Sequence, residues 1–190
     1  WAETLSSEEE LRAADEAADR LGAPFCATLS FDTAGRTMMG VTSTRFAGLA
    51  PALPDRPIAF GANCGVGASD LVRTVLGLTA AAPEAVVIAK ANAGVPKYVD
   101  GAIVYDGTPE LMADYARLAR DAGARIIGGC CGTTAEKLAA MKAALDAHAP
   151  GPRPSLETLV ERLGPFSSES DGTGDPDSPA EPRARRRRRS

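Results

Sequence analysis

The sequence predicts an α/β fold built on a parallel sheet, and three observations predict it. Apolar runs alternate with segments of helical periodicity to about residue 147. The runs are apolar nearly throughout, as strands are when helices cover both faces of a parallel sheet. They also end in Gly, Asn, Cys and Thr, and in such folds the carboxyl ends of the strands carry the chemistry. Five such units are expected. Five fit an open sheet, and they also make five-eighths of a (β/α)8 TIM barrel. Three units missing at the front would account for a chain that opens on Trp1 rather than Met.

The elements follow in order. "WAET" reads as the end of a first strand. Residues 6–21 form a helix: Ser6 with Glu9, or Ser7 with Glu10, makes a capping box, and Leu11, Ala14, Ala18 and Leu21 recur on one face. Gly22 stops it. "PFCATLSF" (24–31) is a buried strand, and a helix over 42–53 opens at Thr42 or Ser43. "PIAFGANC" (57–64) is the next strand, followed by a helix over 69–81. "AVVIAKANA" (85–93) is rich in β-branched residues and reads as a strand. Thr108 caps a helix with Pro109 at its first position, and Gly123 follows its end. "ARIIGGCC" (124–131) is the last strand. The last helix starts near Thr134 with Leu138, Met141 and Leu145 on one face.

Residues 1–164 are expected to form the folded domain. From Pro165 to Ser190 the chain has no apolar periodicity and is rich in Ser, Gly, Pro and charge, so a disordered tail is expected. The net charge is −4, but Arg183 and Arg185 to Arg189 lie in that tail. Without those six, 15 basic residues face 25 acidic ones, a balance of −10. An acidic body argues against nucleic acid as its partner, and none is expected. The arginines alone suit nucleic acid or an acidic surface, or are simply solvated. No run is apolar enough to span a membrane and nothing reads as a signal peptide, so a cytoplasmic setting is expected.

Four cysteines in a chain this long are no disulfide scaffold. Cys130 and Cys131 are adjacent, and neighbours on a regular strand point to opposite faces. They can serve one point only where the strand ends or bends, and Gly128, Gly129 and Gly132 supply that freedom. Cys64 ends another strand in "GANCGVG". On a parallel sheet all three sulfurs share one rim. Three thiolates suit zinc with an open fourth position, the catalytic rather than the structural pattern. A strained Cys130–Cys131 disulfide and inert packing cysteines remain alternatives. Cys26 lies inside a strand and reads as a core residue, and His148, after the last helix, is poorly placed to be a ligand.

"GANCG", "KANAGVP", "YDGTPELMADYA" and "GARIIGGCCGTT", with "FDTAGRTMMGVT" (31–42), resemble the homocysteine S-methyltransferase family over residues 1–147. The resemblance implies a (β/α)8 barrel, here a truncated one. It implies Zn2+ held by Cys64, Cys130 and Cys131, with the sulfur of homocysteine in the open position. It also implies that Glu3 holds the homocysteine amino group and that Asn92 touches metal or substrate at the same rim, while Asn63 orients the loop at Cys64. The family's Asp-Gly strand and Thr-Asn segment have no counterpart here, and Lys137 stands where a histidine is common. An open remnant of this kind would expose two strand edges.

The implied reaction is transfer of a methyl group to the homocysteine thiol, giving methionine. The thiolate is the reactive form. The donor needs a good leaving group: betaine, S-methylmethionine or a similar small molecule, or methylcobalamin arriving on another protein. A zinc-binding remnant without catalysis, and a zinc-activated alkyltransferase for another thiol, are the alternatives.

Overall fold

A computed structural model describes residues 1–173. The expected arginine cluster lies outside the described residues. The order of elements is β1 (Ala2–Leu5), α1 (Glu8–Leu21), β2 (Cys26–Leu29), α2 (Ser43–Leu49), β3 (Ala59–Cys64), α3 (Ala68–Ala81), β4 (Val87–Ala91), β5 (Pro96–Val99), β6 (Ala102–Tyr105), α4 (Pro109–Asp121), β7 (Ile126–Gly129), α5 (Ala135–Asp146) and α6 (Leu156–Leu163). Five strands form one parallel sheet in the order β1-β2-β3-β4-β7. Each unit adds its strand beside the previous one, as in part of a β/α barrel. β1 and β7 are the sheet's two edges.

The termini of the helices follow from local chemistry. Ser7 and Glu10 make the capping box: Ser7 Oγ accepts from Glu10 N at 3.1 Å, and Glu10 Oε2 accepts from Ser7 N at 3.2 Å. Thr42, Thr108 and Thr134 cap α2, α4 and α5 with their hydroxyls. Gly22 ends α1 at φ 58°, a left-handed conformation that costs a Cβ-bearing residue strain. The expected stripe on α1 is buried at Leu11 and Ala18, but Leu21 is exposed; on α5, Met141 is buried and Leu138 is exposed.

The main core lies between the sheet and its helices. Leu29, Phe60 and Val87 from the strands meet Phe46, Val72, Val75, Leu78 and Met112 from the helices. Full burial of each large side chain stabilises by about 1.5–3 kcal/mol. Cys26 is buried as expected, but in a smaller cluster with Ala59 and Ile88 against Ile126. Gly61 is required there: a Cβ on it would come within 2.0 Å of the Ile88 carbonyl oxygen on β4.

A hairpin and a helix go beyond the sequence expectation. β5 and β6 form an antiparallel hairpin turned by Asp100 (φ 48°) and Gly101 (φ 83°). An Asp-Gly pair between β-branched runs is a strong hairpin signal because both turn residues need positive φ. Helix α6, capped by Ser155, buries Leu159 and Leu163 against α3 and α4.

Residues 166–168, within the expected tail, contact α3. Ser167 N donates to Asp70 Oδ2 at 2.9 Å, the Ser168 carbonyl accepts from Arg73 at 2.9 Å, and the Arg73 guanidinium lies 4.3 Å from the Phe166 ring centroid. Composition averaged over the segment hides one phenylalanine and two backbone groups that meet a buried ion pair. Among the described residues no helix is long and apolar enough to cross a membrane.

Candidate metal centre

Cys64, Cys130 and Cys131 come together at the carboxyl ends of β3 and β7. Their sulfurs all lie within 4.8 Å of one another. Among the described residues all four cysteines are free, and Cys130 Sγ and Cys131 Sγ are 4.0 Å apart.

The local chain explains how adjacent residues serve one point. Cys130 N donates to Ala91 O at 2.7 Å, so Cys130 is still tied to β4. Thr133 N then donates back to Cys130 O at 3.2 Å, closing a β-turn over Cys130–Thr133. The third turn residue, Gly132, has φ 75°, as a type II turn demands. The turn breaks the alternation of the strand and swings Cys131 to the side that Cys130 faces. Gly132 is also confined, since a Cβ there would meet the Tyr105 ring at 2.3 Å. Lys137 Nζ, one turn into α5, donates to Gly132 O at 2.9 Å and fastens the turn. Cys64 reaches the same point from β3 through a left-handed backbone (φ 61°). That conformation costs a non-glycine residue about 1–2 kcal/mol, so the surrounding contacts impose it.

Two asparagines hold these ends in place. Asn63 is fully buried. Its Oδ1 accepts from Thr4 N at 2.8 Å and Thr28 Oγ1 at 2.6 Å, and its Nδ2 donates to Thr4 Oγ1 at 2.8 Å and to Cys130 Sγ at 3.8 Å. Asn92 Nδ2 donates to Gly65 O at 2.9 Å, and its Oδ1 accepts from Cys131 N at 3.1 Å. Asn92 therefore ties the Cys64 turn to the Cys131 turn. Its amide also hydrogen-bonds the Cys64 side chain, so Asn92 touches the thiol cluster as well as the two turns. Glu3 faces the sheet's open side, where its carboxylate is paired with Lys90 of β4. His148 lies elsewhere, with Nε2 2.8 Å from Asp121 Oδ1.

Sequence reasoning missed three residues around the cluster. Tyr115 of α4 is fully buried, and burial raises its phenol above the ordinary range. Its hydroxyl accepts from Ala91 N at 3.1 Å and donates to Gly128 O at 3.3 Å, joining β4 to β7 just below the cysteines. Desolvation and a hydrogen bond to Cys131 raise the Tyr105 phenol as well. The third is Lys90. A polar tip within an apolar stripe was the available signal for Tyr115, and a lone charge in an apolar strand for Lys90.

The site's electrostatics favour a cation. Desolvation pushes the Cys64 thiol up to about 11, with Cys130 and Cys131 adding to the rise and the Asn92 side chain opposing it. A tetrahedral zinc with thiolates at about 2.3 Å holds its sulfurs about 3.8 Å apart. The observed spacing is near that and needs only a small contraction. The donor set is therefore soft, convergent and short of positive charge, and it fits zinc.

A partial β/α barrel with three thiols converging at the carboxyl end of its sheet defines the class of protein. The model of the family described as homocysteine S-methyltransferase matches residues 1–145, and the chain belongs to that family. Among solved structures it is similar to the homocysteine methyltransferase MmuM from Escherichia coli. The apo form matches with a TM-score of 0.60 at 24% identity, over 75% of this chain and 48% of that one. The metallated form gives 0.57 at 24% identity, over 73% and 42%. The oxidized form gives 0.58 at 27% identity, over 75% and 44%. The chain thus spans less than half the length of these relatives.

Proposed function

We propose that this chain carries the zinc and homocysteine site of an enzyme that transfers a methyl group to the homocysteine thiol. Convergence of the Cys64, Cys130 and Cys131 sulfurs within 4.8 Å carries this reading. Family membership and the metallated form of a relative support it. Cys64, Cys130 and Cys131 would hold the zinc, which when bound would lower the pKa of a substrate thiol so that it reacts as thiolate near neutral pH. The substrate sulfur attacks the donor's methyl carbon. The new S–C bond forms as the bond from methyl to the donor heteroatom breaks, and the electron pair leaves with the donor. A sulfonium departs as a thioether and a quaternary ammonium as a tertiary amine.

The chain's own residues supply the rest. Asn63 donates to Cys130 Sγ and so orients that sulfur. Asn92 and Lys137 fix the turns that bear the sulfurs. Glu3 is the acceptor for the substrate ammonium, as a carboxylate facing the same open side.

The test is metal analysis with sulfur counting by X-ray absorption. Wild type is expected to bind one zinc with three sulfurs, and four when homocysteine is added. Cys64→Ser, Cys130→Ser and Cys131→Ser each lose most of the metal, while Cys26→Ser keeps it. Zinc content unaffected by Cys130→Ser overturns the reading. A sulfur count that stays at three with homocysteine present turns the site into a zinc-binding element without this substrate. Methyl transfer is then assayed with betaine and with S-methylmethionine.

A further inference from the structure

The Glu3–Lys90 ion pair spans the sheet from β1 to β4, across β2 and β3. Strands in a flat sheet lie about 4.8 Å apart, so three spacings exceed what the two side chains bridge comfortably. The pair closes because both residues project onto the hollow side of a curved sheet. Lys90 is in register with Asn63 on β3 and Gly128 on β7. Asn63 touches Cys130. Ala91, the next residue, pairs with Cys64. Lys90 therefore stands one strand step below the register of Cys64 and two below that of Cys130, at about 3.3 Å per step. Gly128 leaves room for its stem: a Cβ there would lie 3.5 Å from Lys90 Cγ. The Lys90 ammonium is 5.5 Å from the Trp1 ring centroid.

The Lys90 and Glu3 side chains are 21% and 34% exposed. The pair is partly open to solvent, so an entering ligand reaches both charges. Between them they offer one positive and one negative group side by side, the mirror of an amino acid's carboxylate and ammonium. A zwitterion entering here exchanges one ion pair for two and adds no net charge. A spacing of one to two strand steps to the thiols matches an amino acid whose sulfur is carried on a short methylene chain.

We infer that Lys90 is the residue that recognises the substrate α-carboxylate and, paired with Glu3, selects a zwitterionic thiol over thiols bearing only one of the two charges. The inference rests on the thiol cluster being the anchor for a substrate sulfur.

The experiment uses the full chain loaded with Co2+, whose thiolate charge-transfer absorption reports each added thiol. It is titrated with homocysteine, with 3-aminopropane-1-thiol, which lacks the carboxylate, and with 4-sulfanylbutanoate, which lacks the amine. Wild type is expected to bind homocysteine about tenfold or more tighter than either, the worth of one charge-assisted contact. Lys90→Met lowers homocysteine to the level of the aminothiol without weakening the aminothiol, and Lys90→Arg keeps the preference. A wild-type protein that binds homocysteine and the aminothiol equally, or a Lys90→Met variant that keeps the wild-type ratio, overturns the inference while leaving the thiol anchor intact. No spectral change with any thiol overturns the anchor, and the inference with it.

Discussion

Asn63 donates from its Nδ2 to the Sγ of Cys130 at 3.8 Å, while its Oδ1 accepts from Thr4 N and Thr28 Oγ1. One buried amide thus links β1, β2 and β3 to a sulfur at the end of β7. Asn63→Leu removes all four contacts and strands a backbone N–H and a buried hydroxyl. It is expected to lower stability by about 2–4 kcal/mol. Metal affinity is expected to fall about 10–100-fold, as for partners of metal ligands generally. Urea denaturation and competition with a chelator measure the two. A metal affinity unchanged by Asn63→Leu sinks the positioning role.

Tyr115 does the same from below. Its hydroxyl is shared by Ala91 N and Gly128 O, and Ala91 O in turn holds Cys130 N. Tyr115→Phe keeps the ring packing and leaves the Ala91 N–H buried without its partner. The expected loss is about 1–3 kcal/mol. Hydrogen exchange then reads the location: the Ala91 and Cys130 amides gain exchange more than those of α1. A uniform change across the chain means that Tyr115 serves packing alone.

Cys64 makes stability depend on pH in the metal-free protein. Its folded thiol is raised from an ordinary 9.0 to about 11, chiefly by desolvation. Between those values the folded state binds more protons than the unfolded one, so stability falls as pH rises. The contribution is complete below about pH 9 and lost by about pH 11. Metal uptake has the opposite sense: it displaces the Cys64 proton and strengthens as pH rises. Urea midpoints of wild type and Cys64→Ser, both stripped of metal, are expected to converge from pH 8 to pH 11. A difference between them that is constant across that window is inconsistent with this origin.

Much of this architecture was legible in the sequence. The five sheet strands and the five helices that follow them announce themselves through apolar runs, threonine and serine caps, and glycines just past helix ends, because those signals act within a few residues. The bend that lets Cys130 and Cys131 face one point was readable from the glycines around them. What the sequence concealed depends on register and curvature. Lys90 looks like a stray charge in a strand until β1 and β4 are seen to meet across the hollow of the sheet. Tyr115 reads as one more core position on α4 until its hydroxyl finds two strands. Residues 166–168 have the composition of a tail, yet they contact α3, a partner about 95 residues away in the chain.

That partner is the Asp70–Arg73 ion pair, 2.7 Å long, with side chains only 10% and 7% exposed. Asp70 also accepts from Ser167 N, and Arg73 also donates to Ser168 O beneath the Phe166 ring. A buried pair broken on one side leaves an uncompensated charge, at about 3–5 kcal/mol. Arg73→Met is therefore expected to destabilise by that amount. Replacing both partners, as Asp70→Leu with Arg73→Met, is expected to recover most of the loss, because two apolar groups leave no stranded charge. The double variant still has no acceptor for Ser167 N and no donor for Ser168 O. Limited proteolysis is expected to cut it near residues 165–168 faster than wild type, with the rest of the domain intact. If Arg73→Met alone costs under about 1 kcal/mol, the level of an exposed pair, the latch is not buried in solution. If the double variant resists protease as wild type does, the pair is not what holds the segment.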